Sequence, residues 1–250
     1  MRNILIVGYG QIGKAIHGLY EKLDETFEIY RIDTREEAQQ IPDNIEIMHI
    51  CFGYDEKFSR HAIQYIEKHK PELTIIHSTV APLTTQIIYD NTKADIVHSP
   101  VMGVHPHLTE SIQRFRKIIG PCTVYAGEKA AGHYNELGIE CRIYRKPEES
   151  EMAKLLDTTY YAWNIYYMQK VHDLCEEYHL DFDKVYTETN NIYNNGYREM
   201  NKLHVLRPVL QYMGPGIGGH CLYPNALILE QNEMLKDVAK KIIEMGEKKE

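Results

Sequence analysis

The sequence predicts an α/β chain in which a doubly wound parallel sheet precedes an all-helical domain built on one long helix. Three observations carry this expectation. A short apolar run at residues 3–7 is followed at once by Gly8-Tyr9-Gly10-Gln11-Ile12-Gly13. Strand-like and helix-like stretches then alternate up to about residue 145. Beyond Pro147 the alternation stops, and residues 148–178 hold no glycine or proline while apolar side chains recur at helical spacing.

The elements follow in order. Residues 3–7 form the first strand, and residues 14–22 a helix with Ile16, Leu19 and Tyr20 on one side. Strand, glycine turn and helix in this order are what a Rossmann dinucleotide fold requires. Gly8 permits the tight turn, Gly10 lets a pyrophosphate near the backbone, and Gly13 lets the helix pack on the strand. Tyr9, Gln11 and Ile12 complete that cofactor turn. The second strand, residues 27–32, ends on Asp33, whose carboxylate can accept hydrogen bonds from the adenosine ribose hydroxyls. That carboxylate would repel a 2′-phosphate, so NAD is favoured over NADP, while Arg35 keeps NADP open.

Residues 45–52 read as a third strand, 54–70 as a helix, and 73–77 as a fourth strand leading into Ser78-Thr79-Val80-Ala81-Pro82. A helix from Thr84 and a fifth strand at 95–98 follow, with further strands at 117–119, 123–126 and 142–144. Gly8, Asp33, Ser78-Thr79 and Ser99-Pro100 all fall at strand carboxyl ends, where such sheets bind ligands. Residues 1–146 are therefore expected to form an NAD-binding Rossmann domain, with Ser78 and Thr79 beside the cofactor.

Residues 147–250 are expected to be helical. Leu155, Trp163, Tyr166, Tyr167 and Leu174 make the long helix apolar over a face too broad to cover itself, which predicts a homodimer through it. Residues 183–190 read as another helix, Asn190-Asn191 and Asn194-Asn195-Gly196 as turns, and 226–248 as a last amphipathic helix. Between them, residues 214–221 read Gly-Pro-Gly-Ile-Gly-Gly-His-Cys. Glycines remove side chains so that a ligand can approach the main chain. Cys221 with His220 beside it can supply a thiolate nucleophile, or Cys221 can be a small buried apolar residue after a turn.

Composition narrows the class. A formal net charge of −8 and no basic run argue against a nucleic-acid partner. No apolar stretch approaches the ~20 residues that cross a bilayer, and the N-terminus reads as a strand and not a signal peptide. Five cysteines without a CxxC pair suit reduced thiols in a cytoplasm and give no zinc site. His98, His105 and His107 leave a base, a metal ligand and a structural role open, and their spacing on a proline-containing loop is a poor metal pattern. No metal is expected.

Four blocks give the chain a resemblance to the UDP-glucose/GDP-mannose (nucleotide-sugar) 6-dehydrogenase family over nearly its whole length. They are Gly8–Gly13, residues 78–85 (Ser-Thr-Val-Ala-Pro-Leu-Thr-Thr against the family's Ser-Thr-Val-Pro-Pro-Gly-Thr-Thr), residues 150–155 (Ser-Glu-Met-Ala-Lys-Leu), and residues 214–221. The resemblance implies an NAD-dependent oxidation of an alcohol to a carboxylate through a cysteine thioester. It implies Cys221 as nucleophile, Lys154 as the cation stabilising an oxyanion, and Thr79 as a residue near the nicotinamide that helps hold water. Pro100, His105, Gly216, Gly218 and Gly219 become the substrate loops.

Departures from the family stand beside this. The family's Pro-Glu after the fifth strand is Pro100-Val101 here, and valine moves no proton. Its asparagine four residues past the lysine is Thr158, and its aspartate four residues past the cysteine is Asn225. The family's second Rossmann-like domain would begin about where this sequence stops, which reads as a short form lacking the C-terminal UDP-binding domain. His105 or His107 could replace the missing glutamate as base, and His220 could lower the pKa of Cys221. Two other readings stay open. One is a two-electron NAD(P)-dependent enzyme acting on a small hydroxy or keto compound, the other a noncatalytic NAD-binding subunit or sensor.

Overall fold

The computed structural model describes residues 1–21, 26–34, 40–103, 106–216 and 221–247. They divide into two compact units, Met1–Lys154 and Leu155–Glu250. In the first unit, strands β1 (Arg2–Val7), β2 (Phe27–Ile32), β3 (Ile45–Ile50), β4 (Leu73–Ile76), β5 (Ile96–His98), β6 (Lys117–Pro121) and β7 (Cys141–Ile143) form one sheet in the order β2-β1-β3-β4-β5-β6-β7. Every pairing is parallel except β5 with β6. The doubly wound Rossmann-like fold is thus present.

Helices cover both faces of this sheet, and the period of two along the strands assigns each side chain its face. Ile4 and Ile6 of β1 join Ile47, Ile75 and Val97 under α1 (Gln11–His17), α4 (Leu108–Arg114) and α5 (Val124–Glu136). Leu5 and Val7 join Met48, Ile50 and Ile76 under α2 (Phe58–His69) and α3 (Thr84–Thr92). Each such aliphatic side chain contributes about 1.5–3 kcal/mol by leaving water. Strands β1 to β5 run the same way, so the loops after their carboxyl ends line one rim, while β6 and β7 run the other way.

In the second unit, the later turns of α6 (Pro147–Glu177) pack with α8 (Leu222–Leu229) and α9 (Lys236–Glu247) around Ala162, Leu222, Ala226, Ile242 and Met245. A π-helical stretch (Asp183–Glu188) runs into α7 (Thr189–Glu199), and a short 3-10 turn follows at Leu203–Val205.

Three sequence expectations are corrected. Residues 123–126 are not a strand: Thr123 caps α5 by accepting the Ala126 N–H at 3.1 Å, and Val124 begins the helix. The asparagines read as turns lie inside α7, where Asn190 donates to the Tyr186 carbonyl and Asn194 bonds the Arg207 backbone twice. The local back-bond of Asn190 and the Arg207 backbone bound by Asn194 satisfy these side chains inside the helix, against the local turn preference of asparagine. The last helix is two helices, α8 and α9, with turns between Glu230 and Leu235.

Candidate functional site

The candidate cofactor site lies within the first unit. Gly8 follows β1 with φ +92°, and a Cβ there would lie 2.6 Å from the Phe52 nitrogen. A Cβ on Gly13 would collide with the Gly8 carbonyl. Both positions therefore need glycine on steric grounds. Gly10 is the N-cap of α1 and offers no side-chain cap. Tyr9 and Ile12 pack on the core, while Gln11 is exposed.

Asp33 sits one residue past β2, and its Oδ2 accepts the Tyr9 N–H at 2.7 Å. The glycine turn and the acid are thereby tied to each other. Asp33 also borders a cleft of about 570 Å³ with Gly8, Phe52, Gly53, His61 and Tyr65. Its size falls in the ordinary range for small-ligand sites, roughly 300–1,000 Å³. These residues fit an adenosine: ring faces for the base, and a carboxylate for ribose hydroxyls.

At the next carboxyl end, Ser78 is buried and donates to the Phe52 carbonyl at 2.6 Å, which locks the β3 and β4 loops together. Thr79 beside it is half-buried. Buried His98 bonds Ser150 Oγ at 2.8 Å and the Ser78 carbonyl at 3.1 Å, so both ring nitrogens are occupied within the protein. Burial pushes its pKa down to about 3. Pro100 and Val101 are buried, and His107 is exposed at the start of α4.

Lys154 is half-buried on α6, and its charge reaches His98 and Lys117, where it disfavours their protonation. In the first turns of the same helix, Glu151 is fully buried. It accepts the Leu83 and Thr85 N–H groups, both at 2.8 Å, and the Thr85 hydroxyl at 2.6 Å. It caps α3 from another element. Burial raises its pKa more than these three bonds lower it.

Cys221 belongs to the second unit. Cys221 is exposed and is the N-cap of α8. Gly214 and Gly216 adopt left-handed φ values of +97° and +89°, and the buried Gln169 donates to both carbonyls, at 3.2 and 2.6 Å. Asn225 Nδ2 donates to Thr158 Oγ1 at 3.1 Å. The two positions that depart from the family's asparagine and aspartate therefore touch each other: a neutral pair occupies both. Arg35, His105, Gly218, Gly219 and His220 lie outside the described residues. Among the described residues, no group of three or more His, Cys, Asp or Glu side chains is arranged to hold a metal, and no helix is long and apolar enough to cross a membrane.

Sequence reasoning missed Glu151, Gln169 and buried Lys117. The signal for Glu151 was its place in the stripe 151, 155, 158/159, 162, which is otherwise uncharged. For Lys117 it was the period of two, which puts it on the same sheet face as Ile119. Gln169 gave no comparable signal, because its partners are backbone atoms 45 and 47 residues away.

Residues 148–249 match the model of the UDP-glucose/GDP-mannose dehydrogenase family, central domain. A UDP-N-acetyl-D-mannosamine dehydrogenase of Methanococcus vannielii is 28% identical over 153 residues, 60% of this chain and 33% of that protein. One of Methanocaldococcus jannaschii is 27% identical over 167 residues, covering 63% and 36%. The matched segment spans about a third of the length of these curated relatives. Among solved structures, a UDP-D-ManNAc dehydrogenase from Pyrococcus horikoshii superposes with a TM-score of 0.75 at 17% identity, covering 97% of this chain and 68% of that one. A 3-hydroxyisobutyrate dehydrogenase from Mycobacterium tuberculosis gives 0.73 at 11% identity, covering 99% and 93%. Both likenesses are of fold. Over residues 148–249 the chain is thus similar to the central domain of the UDP-glucose/GDP-mannose dehydrogenase family.

Proposed function

We propose that this chain is an NAD-dependent dehydrogenase that oxidises an alcohol of a sugar nucleotide to a carboxylate through Cys221. One conjunction supports this reading above all. The segment matching the family's central domain holds Lys154 and Cys221, and it follows a glycine turn whose Asp33 borders an adenosine-sized cleft.

NAD, when bound, supplies the hydride acceptor. Asp33 would hold the adenosine ribose by its hydroxyls and disfavour a 2′-phosphate, which selects NAD over NADP. Lys154 would stabilise the negative charge that develops on the substrate oxygen. The Cys221 thiolate would add to the aldehyde carbon, oxidation of that adduct would leave a thioester, and water would cleave it and restore the thiol. The balance is one alcohol, two NAD⁺ and one water giving one carboxylate, two NADH and three protons.

Val101 favours a second reading. It is buried and apolar where the resemblance calls for the glutamate that supports hydrolysis. Without that group the reaction could stop after two electrons, on a sugar nucleotide or a smaller hydroxy compound, with Cys221 lining the pocket.

NADH formed per product, measured over a panel of sugar nucleotides and hydroxy acids, separates the readings. Two NADH per acid, with Cys221→Ala stalled at the aldehyde, is the expected result. One NADH per carbonyl, undiminished in Cys221→Ala, would give the second reading. NAD binding without turnover on any of them would favour a noncatalytic role.

A further inference from the structure

We propose that Lys117 is a positioning residue for the turn that leaves β5: its buried amine holds the Ser99 and Pro100 carbonyls, and with them the segment that carries Val101. Only the kinetic consequence of this inference rests on the dehydrogenase reading.

Lys117 opens β6 and is 3% exposed. A lysine so deeply buried must satisfy its nitrogen inside the protein. Nζ donates to the Ser99 and Pro100 carbonyl oxygens, both at 2.8 Å. The antiparallel ladder pairs Val97 with Pro121 and His98 with Gly120, and Ser99 lies past its end. Proline also has no N–H to anchor the turn from its own side. Ser99 itself is still tied by its N–H to the Ile76 carbonyl of β4 and by its hydroxyl to the Ile118 carbonyl of β6, both at 2.8 Å, and the amine adds the donors that the Ser99 and Pro100 carbonyls take past the end of the β5–β6 ladder.

Among the described residues, the groups around Lys117 leave its charge uncompensated. The Tyr134 ring of α5 lies 5.5 Å from Nζ. The thiols of Cys51, after β3, and Cys141, on β7, are held toward their neutral forms by burial. Lys154 on α6 opposes it with a like charge. His49, His77 and His98, on or beside the neighbouring strands, are neutral imidazoles that Lys117 itself helps to keep deprotonated. Desolvation accordingly brings Lys117 down to about 7. An ammonium has three N–H groups and a neutral amine two, so both carbonyls can be served in either state. The turn stays held across neutral pH while the charge beneath it changes.

The test is amide hydrogen exchange of the whole chain, wild type against Lys117→Met, followed in the peptide spanning residues 99–103. Exchange there should accelerate at least about tenfold, with the peptide spanning Gly8–Gly13 unchanged. Unchanged exchange at 99–103, or a uniform rise across the first unit, would overturn the proposal. Should Lys117→Met fail to fold, ¹³C NMR titration of the wild-type lysines decides instead. One lysine titrating near pH 7 supports burial against these carbonyls, and all lysines titrating above about pH 9 would put Lys117 in water. In turnover, Lys117→Met should lower kcat at least about tenfold with NAD affinity kept within about twofold, and Lys117→Arg should recover part of it. An inactive wild type would count against the dehydrogenase reading, and the exchange result would still decide this one.

Discussion

Three imidazoles and a phenol occupy a volume that sheet geometry would ordinarily give to aliphatic side chains. Tyr20 Oη lies 2.6 Å from His49 Nε2 and 2.7 Å from His133 Nε2, and His49 Nδ1 lies 2.9 Å from His77 Nε2. A phenol has one proton, so it donates to one imidazole and accepts from the other, and that choice fixes every tautomer along the row. Among the described residues, His133 Nδ1 at one end of the row is buried without a hydrogen-bond partner. All three rings are therefore held neutral, and desolvation takes His133 down to about 4.

The consequence for stability has a definite sign. As pH falls, the unfolded chain takes up these protons first, near the ordinary histidine pKa of about 6.5. Stability is thus intact above that value and is lost on the way down to pH 4 for His133, and to pH 3 for His98. Lys117 has the same sign in a higher window: its burial penalty is relieved as pH rises from about 7 toward its ordinary value of 10.5. The His133 contribution is on the order of 3 kcal/mol by pH 4. Urea denaturation from pH 7 to pH 4.5 should show a falling midpoint, with a shallower fall in His133→Gln. Equal slopes in the two proteins would contradict the assignment. Burial of His49 and His77 was legible in the period of two, since each shares a face with aliphatic neighbours two positions away. Their partners were not, because Tyr20 and His133 are 113 residues apart in sequence.

At the scale of elements, α3 depends on α6. Leu83 takes a left-handed φ of +75° at the N-cap of α3, where the resembling family carries glycine, and Glu151 caps the helix by binding both Leu83 and Thr85. Removing that carboxylate leaves buried donors without partners. Glu151→Ala should cost about 2–3 kcal/mol of unfolding free energy, and Glu151→Gln less, since an amide oxygen can still accept. A loss below about 0.5 kcal/mol for alanine would show that the cap is dispensable.

Strands β1 to β5 were readable from apolar runs bounded by turns, because a strand buried on both faces has little else to be. The α5 helix was not, since Thr123-Val124-Tyr125 has strand-like side chains and only the cap geometry declares the helix. The break between α8 and α9 was also hidden, because no glycine or proline marks it.

At the scale of the molecule, the fold class was legible because glycine turn, acid and strand order reinforce one another. The site was legible only in outline. Its motifs announced which chemistry to look for, whereas the partners of Glu151, Lys117 and Gln169 lie 17 to 68 residues away, so that a local pattern can show burial but not the bonds. In the second unit Tyr160, Tyr161 and Tyr167 are each more than half exposed, with Trp163 and Leu174 also at the surface. Aromatic exposure on that scale marks an interaction surface, and we propose that a second copy of the chain covers it. Gel filtration at micromolar concentration should return a dimer, and a monomer throughout would contradict this.

The central claim is that the cleft beside Asp33 takes NAD, and calorimetric titration with NAD and NADP tests it most directly. The account predicts NAD binding tighter than NADP, weakened at least about tenfold by Asp33→Ala, which equals about 1.4 kcal/mol of lost hydrogen bonding. No NAD binding at millimolar concentration, or NADP bound more tightly than NAD, would contradict it.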